Sequence, residues 1–300
     1  MFDYRYHALS LAAVLLALAV GVVIGVAIGD SNLVSSAKNG IVHDLSSEVS
    51  EAKHQADQLR AQLNGEEAFA NDLYPIATHG LLSGRNVGLV FLGGSSNRLN
   101  GLVRNAVTQA GGDLATVVAV REPLDLAGLA RAASGTHYAA LGGDLSPAGI
   151  QLIERFGQLA GKQLVSGGQV VGRELLSRER GPLLSAFDGQ LGKLEGLVIV
   201  RAEPTGMTPQ QLQASAAFES GLIDGASAAG VPTVGVELSS TQPSQVSWYQ
   251  AQNISSVDDL DATAGQAALV YALTGSRGAY GTKATADSLL PNVVGAPTQP

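Results

Sequence analysis

The longest apolar segment of the chain lies at its beginning. Ala8 to Ile28 spans 21 residues, and Ser10 is its one clearly polar side chain. A helix of that length spans roughly 31 Å, about the thickness of the hydrocarbon core of a bilayer. The apolar core of a cleaved signal peptide is shorter, about 7–15 residues. The pattern therefore favours a retained membrane anchor over residues 1–29. Cleavage near the small residues Ala27 and Gly29 is the alternative.

Three glycines stand at every fourth position in the second half of this segment, at Gly21, Gly25 and Gly29. Glycines at this spacing form a stripe without side chains, which lets the backbone of a second helix approach closely. We therefore expect these three residues to lie in a helix–helix contact. The alternative is that they reflect composition, because glycine is common in membrane helices.

The charges that flank the apolar segment predict its orientation. Arg5, His7 and the free amine precede it, whereas Asp30, Lys38 and Asp44 follow it. Positive charge is retained on the cytoplasmic side of membrane helices. We therefore expect a single-pass protein of the cell membrane, with a cytoplasmic N-terminus and an extracytoplasmic C-terminal part.

A second pattern of apolar positions begins soon after the apolar segment. Its members recur at alternating steps of three and four residues, as in an a/d heptad seam: Val42, Leu45, Val49, Ala52, Ala56, Leu59 and Leu63. Asn64 and Gly65 are a helix-stop signal, so the seam is expected to end there. Because the stripe is narrow, it favours a parallel coiled-coil homodimer, with residues 30–75 as a stalk. An amphipathic helix packed on the chain's own globular domain is the alternative.

The rest of the chain alternates short apolar runs with helical stretches. The runs are rich in Val and Leu and apolar on both faces, as buried parallel strands are: 86–92, 114–120, 137–143, 196–202 and 232–238. Helices are expected at about 98–110, 147–165 and 208–229, and the second and third begin at Ser146-Pro147 and Thr208-Pro209. This alternation predicts a Rossmann-like α/β domain with a mainly parallel sheet over residues 76–290. Residues 291–300 are expected to form a disordered tail.

Composition and charge exclude several classes of protein. The chain has 300 residues, no cysteine and a net charge of −8. Residues 30–75 carry 3 basic and 8 acidic side chains, and residues 76–300 carry 14 and 17. Since there is no basic stripe, a nucleic-acid partner is not expected. The lack of cysteine excludes disulfides and thiolate metal sites.

Signatures of catalysis are missing from the sequence. Gly93 and Gly94 follow the first strand, where a Rossmann-type sheet binds phosphate, but neither G-x-G-x-x-G nor GxxxxGK[ST] occurs there. A glycine turn between strand and helix is the simpler interpretation. There is also no G-x-S-x-G elbow, and His79 and His137 are the histidines in or near the α/β part. We therefore expect a protein that is not an enzyme and has no catalytic residues and no cofactor.

Metal ligands are few and of the hard type. Asp258, Asp259 and Asp261 form the densest acidic cluster and are the weak candidates for a hard cation. The alternative is that these acids complement the dipole of the helix that follows them. Soft ligands suited to Cu(I) are scarce, with no cysteine and two methionines. His43 and His54 lie about 16 Å apart along a helix, so they cannot share one ion within a chain.

Sequence blocks at both ends resemble the actinobacterial copper transporter MctB family. These blocks are "YRYHALSLAAVLLALAVGVVIG" at the N-terminus and, toward the C-terminus, "VPTVGVELSSTQPS", "SSVDDLDATAGQAALVYAL" and "YGTKATADSLLP". The resemblance implies copper transport or copper homeostasis at the envelope, and the family name implies the outer membrane. It also directs attention to Gly265, Tyr280 and Gly281, besides the three aspartates.

A second function is implied by a relative within the same family. The resemblance to SteB implies a non-enzymatic dimeric scaffold, which engages a SteA-like envelope partner in cell separation and control of peptidoglycan hydrolases. The membrane anchor, the heptads and the missing catalytic signatures agree with that alternative.

Overall fold

A computed structural model describes residues 4–29, 31–143, 145–167 and 181–292. The chain divides into two compact units, Met1–Glu66 and Glu67–Pro300. Of the tail expected at residues 291–300, positions 293–300 lie outside the described residues.

Helix α1 comprises Tyr4–Ile28. Its segment Tyr6–Ala27, with 22 residues, is long and apolar enough to cross a membrane. A Cβ atom added at Gly21 or Gly25 would meet nothing within 4 Å, so the glycine stripe is open along that part of the helix. The apolar helix expected from the sequence is therefore present.

Helix α2 comprises Ser31–Thr78, so the prediction that it ends at Asn64 and Gly65 is wrong. One glycine inside a helix costs only about 1 kcal/mol relative to alanine. Good helix formers continue the chain, and the Gln62 amide donates a hydrogen bond to Glu66 across the glycine, at 3.2 Å. The last turns of α2 are also held by packing within the second unit.

The predicted seam of α2 is exposed in the monomer. Between 58% and 62% of Leu45, Val49, Leu59 and Leu63 is accessible to solvent. The side chain of Val42 lies outside the described residues. Leu73 keeps the same heptad phase beyond Gly65, since it follows Leu59 by two heptads, and it is also exposed. Leu73 therefore continues the phase of the seam, although the charged residue Glu66 occupies the d position before it.

The second unit is built around a seven-stranded sheet. Its strands are β1 (Asn86–Leu92), β2 (Asp113–Val120), β3 (Leu184–Gly189), β4 (Gly196–Arg201), β5 (Thr233–Val236), β6 (Ser255–Val257) and β7 (Ala279–Tyr280). The spatial order is β3-β2-β1-β4-β5-β6-β7. Every neighbouring pair is parallel except β2 and β3. The predicted α/β class with a mainly parallel sheet is confirmed.

Helices cover both faces of the sheet. They are α3 (Asn97–Gln109), α4 (Leu126–Ala132), α5 (Pro147–Ser166), α6 (Pro209–Ala228), α7 (Val246–Ala251) and α8 (Thr263–Leu273). One buried core lies under α5 and α6, and a second lies under α3 and α8. The predicted starts are confirmed: Ser146 caps α5, and Thr208 and Gln211 form a capping box on α6.

The strand predicted at residues 137–143 is wrong, because His137–Gly142 forms a 3₁₀-helix. The Thr136 hydroxyl accepts a hydrogen bond from the amide of Tyr138 and starts the turn. Tyr138 and Leu141 stand three residues apart, the spacing at which side chains align in a 3₁₀-helix. Both pack into the core under α5 and α6. The apolar residues of this segment therefore follow the three-residue period of a 3₁₀-helix, which is difficult to recognise in a run of only six residues.

Helices α5 and α6 approach each other through paired glycines. Gly157 and Gly161 of α5 face Gly221 and Gly225 of α6. A Cβ atom at Gly161 would overlap the carbonyl oxygen of Leu222, and one at Gly225 would overlap that of Gln158. Both pairs have the GxxxG spacing in the sequence, which is also the spacing of Gly21, Gly25 and Gly29 in α1.

The end of α2 belongs to the second unit. The Tyr74 hydroxyl donates a hydrogen bond to the carbonyl of Ala106 on α3, at 3.4 Å. The Tyr271 hydroxyl on α8 donates to the carbonyl of Ala77, at 2.7 Å. These contacts explain why the helix continues beyond Gly65 and past Pro75.

Candidate functional site at the carboxyl edge of the sheet

Polar residues gather where the parallel strands end. In this strand order β2 and β3 are added on one side of β1, and β4 to β7 are added on its other side. The switch point therefore lies between β1 and β4, and the crevice at such a point is where doubly wound sheets bind ligands. A cavity of about 430 Å³ lies there, against the ends of β1, β2 and β4. Its wall includes Gly93, Gly94, Arg121, Glu122, Glu203 and Met207.

The turn after β1 has the predicted strand–turn–helix form. Gly93 adopts a φ of 101°, a left-handed conformation that favours glycine. A Cβ atom there would lie 2.7 Å from Oε2 of Glu122, so the glycine also makes room for that carboxylate. Ser96 caps the next helix by accepting a hydrogen bond from the amide of Leu99, at 3.3 Å.

Two glutamates meet behind this turn. Glu219 on α6 is 2% exposed, and its Oε2 accepts a hydrogen bond from Nε of Arg201, at 3.0 Å. The Oε1 atoms of Glu122 and Glu219 are both buried, and apart from the contact between the two carboxyl groups they have no hydrogen-bond partner among the described residues. Burial, followed by the hydrogen bond with Glu122, raises the pKa of Glu219 to about 8. Glu219 therefore binds a proton more tightly than a carboxyl group in water does.

Arg201 connects this acid pair to the next strand. Its guanidinium donates to Oε1 of Gln245 and lies 4.7 Å from the centre of the Trp248 ring. Gln245 in turn donates from its side chain to Glu203, at 3.0 Å, and from its backbone to Glu237, at 2.6 Å. The ends of β4 and β5 are thus joined by a buried polar network.

Lys283 closes the network beyond β7. Its ammonium donates to Glu237, to the carbonyl of Leu238 at 3.1 Å and to the carbonyl of Thr241 at 3.0 Å. All three of its donors therefore have acceptors within the protein. Glu237 is buried and the side chain of Lys283 is only 14% exposed, so their pairing fixes the ends of β5 and β7 relative to each other.

Asp258 and Gly281 come together as a structural pair. Asp258 accepts hydrogen bonds from the amides of Thr282, at 2.9 Å, and Lys283, at 3.2 Å. Gly281 has a φ of 135°, and a Cβ atom there would overlap Oδ1 of Asp258. Tyr280 is buried just before this turn. The residues singled out by the resemblance thus join β6 to the turn after β7.

The other two aspartates have separate surroundings. Asp261 accepts hydrogen bonds from the amide and hydroxyl of Ser239, at 2.8 and 2.9 Å. Asp259 is buried against Gly265, and neither of its carboxylate oxygens has a described hydrogen-bond partner. Burial, followed by the charges of Asp258 and Asp261, raises the pKa of Asp259 to about 6. Within the described ranges, no three His, Cys, Asp or Glu side chains are grouped to hold a metal ion.

The acid pair predicts a pH dependence of stability. Folding raises the pKa of Glu219 from 4.5 to about 8, so the folded state binds the proton more tightly than the unfolded state. The free energy of unfolding should therefore fall as the pH rises from about 5 to about 8. Urea unfolding of the wild type and of Glu219→Gln at a series of pH values measures this difference, and the variant should lose this part of the slope. Equal slopes would contradict the raised pKa of Glu219, and Glu67→Gln, at an exposed position, is the control.

Sequence reasoning missed the buried network. Arg201 and Glu237 directly follow apolar runs, and polar residues at the ends of consecutive parallel strands meet at one edge of a sheet. That signal was available in the sequence. The pairing of Glu122 with Glu219 was not, because it depends on the strand order and on the placement of α6.

The fold and this edge define a doubly wound α/β protein with a span-length apolar helix at its N-terminus. A family model described as "Copper transport outer membrane protein, MctB" matches residues 1–291, and the chain belongs to this family. Proteins named "Copper transporter MctB" from Mycobacterium bovis and Mycobacterium tuberculosis are each 27% identical over 306 residues, which cover 94% of this chain and 96% of the relative. The resemblance seen in the sequence is confirmed.

Proposed function

We propose that this chain is a single-pass, membrane-anchored envelope protein that takes part in copper homeostasis. The observation that carries the proposal is the family match over residues 1–291, which includes both the apolar helix and the α/β unit. The relatives named as copper transporters are aligned over nearly their whole length. The similarity therefore includes both the N-terminal helices and the α/β unit.

The proposed location follows from the apolar helix and its flanks. A mainly apolar helical segment of 22 residues, Tyr6–Ala27, satisfies its own backbone hydrogen bonds in a bilayer. The basic residue Arg5 directly precedes this segment, and the residues after it are acidic on balance. These features favour retention in the cell membrane, with the α/β unit on the extracytoplasmic side.

No residue is assigned here as a copper ligand. The chain has no cysteine and two methionines, and soft ligands are those that Cu(I) prefers. Asp258 and Asp261 use their oxygens to hold backbone and side-chain groups of the fold. We therefore propose that copper handling is a property of the protein in its membrane assembly, without catalysis by the chain itself.

Deletion of the gene in its own host tests this proposal. Growth in rising copper concentrations should be inhibited earlier in the deletion strain than in the parent, and the full-length chain should restore tolerance. A chain that lacks residues 1–29 should not restore it, since the anchor is needed. Zinc is the control metal. Equal copper tolerance of the deletion strain and the parent would contradict the proposal.

A dimeric scaffold is the second candidate function, and the exposed stripe on α2 favours it. Leu45, Val49, Leu59 and Leu63 are all more than half exposed, and burial of such a stripe in a coiled coil removes apolar surface from water. In this proposal two copies pair along α2 and present their α/β units to an envelope partner in cell separation.

A further inference from the structure

We propose that the cavity at the ends of β1, β2 and β4 binds a sugar through a vicinal pair of hydroxyl groups, with Glu122 as the acceptor. This proposal does not depend on the copper role. It assigns a ligand class to the switch-point cavity, and it rests on the position, the chemistry and the free space of that cavity.

The position of Glu122 is the first argument. Glu122 is the second residue after β2 and lines a cavity of about 430 Å³, a volume in the range of small-molecule sites. In doubly wound sheets with this strand order, an acidic residue near the end of the second strand accepts hydrogen bonds from ribose hydroxyls. A glycine turn after the first strand lets the ligand approach the backbone, and Gly93-Gly94 occupies that place.

The chemistry of the wall is the second argument. Glu122 and Glu203 bring carboxylates to the cavity. Two donors of the wall already have acceptors in the protein: Nε of Arg121 donates to the carbonyl of Gly181 at 3.1 Å, and the Ser185 hydroxyl donates to that of Ala119 at 3.2 Å. The carboxyl groups of Glu122 and Glu203 offer acceptors, and a ligand with hydrogen-bond donors complements them.

The charge balance selects a neutral donor. Arg201 lies 3.0 Å from Glu219 and 3.7 Å from Glu203. The guanidinium therefore balances much of the negative charge behind the wall and disfavours a second cation. An anion would meet the carboxylates of Glu122 and Glu203. Sugar hydroxyls donate hydrogen bonds to carboxylates without adding charge.

Free space at Gly94 is the third argument. A Cβ atom added there would meet nothing within 4 Å, although the residue lines the cavity. The space beside this backbone is therefore available to a ligand. A larger side chain at Gly94 would fill the cavity without entering the core. Such a variant tests binding while leaving Glu122 and Glu203 unchanged.

Vicinal hydroxyls are present both in ribonucleosides and in envelope saccharides, and the experiment separates the two sources. Saturation-transfer NMR on the full-length chain in nanodiscs would use adenosine in one arm and mannose in the other. We expect transfer to one of them, and 3′-deoxyadenosine or 2-deoxyglucose, which lack the cis vicinal pair of adenosine and mannose, should bind at least about tenfold more weakly. No transfer to either sugar would overturn the proposal.

Two variants assign the binding to this cavity. Glu122→Gln should weaken binding of the sugar by at least about tenfold, because the amide keeps only one of the two acceptor oxygens of the carboxyl group. Gly94→Val should abolish binding while leaving the melting temperature unchanged, which keeps the test valid if Glu122→Gln does not fold. Glu67→Gln, at an exposed position on α2, should bind as the wild type does. Unchanged binding in the Gly94→Val variant would overturn the assignment.

Discussion

Replacement of Gly161 by leucine is expected to prevent the α/β unit from folding. Gly161 lies where α5 and α6 are closest, and even one added carbon would overlap the carbonyl oxygen of Leu222. Backbone atoms of a packed helix cannot move aside as the end of a flexible side chain can. Overpacking of a core costs about 1–3 kcal/mol where side chains can adjust, so about 3 kcal/mol or more is expected here.

The same contact is made four times along the helix pair. Gly157 and Gly161 remove side chains from one helix, and Gly221 and Gly225 remove them from the other. Each glycine faces a backbone carbonyl of the opposite helix, so no single neighbour can relax to accept a larger residue. Gly225→Leu should therefore behave as Gly161→Leu does.

Thermal unfolding followed by circular dichroism measures this effect. Gly161→Ala, the smaller change, should already lower the melting temperature clearly. Gly101→Ala is the matched control, because Gly101 lies within α3 and an added Cβ meets nothing within 4 Å. It should raise stability by about 0.5–1 kcal/mol, since alanine is a better helix former than glycine. Wild-type stability of Gly161→Leu would show that the two helices are not packed in this way.

Replacement of Leu59 and Leu63 by glutamate is expected to convert a dimer into monomers. Both side chains lie on the predicted seam of α2 and are about 60% exposed in the single chain, at 60% and 62%. In a parallel pair each glutamate would face its own copy across the seam. Like charges placed in an apolar interface cost both their desolvation and their repulsion.

Cross-linking in native membranes, followed by mass photometry in nanodiscs, measures the oligomeric state. The matched control adds the same charge away from the seam, at Gln58 and Ala61, and this Q58E/A61E variant should remain dimeric. A dimer that survives Leu59→Glu with Leu63→Glu would place the interface elsewhere. A wild-type chain that is monomeric in both measurements would refute the coiled coil itself.

The architecture was predictable where a local pattern determines it. Four of the five apolar runs are strands, because they are rich in Val and Leu and are bounded by turn residues. The fifth, at residues 137–143, forms a 3₁₀-helix. The cap at Thr136 and the core contacts of Tyr138 and Leu141 favour this helix over the strand that the apolar run predicts. The continuation of α2 past Gly65 was not predictable from the stop signal, because contacts of Tyr74 and Ala77 with distant helices hold it.

The site was predictable only in part, for a related reason. The aspartates near residue 258 were singled out, yet the partners of Asp258 in the turn after Gly281 become visible only when β7 is placed beside β6. In the chain, Glu122 and Glu219 are separated by β3 and β4 and by the helices between β2 and β4. A charge pair of this kind depends on topology, and no local spacing in the sequence encodes it.

Cell-associated copper is the quantity that tests the central claim most directly. After a fixed exposure to copper, the deletion strain and the complemented strain would be compared by elemental analysis, with copper normalised to zinc. The proposed role predicts a higher ratio of copper to zinc in the deletion strain, and a return to the parental ratio with the full-length chain. The same ratio in the parent and the deletion strain would contradict a role of this protein in copper homeostasis.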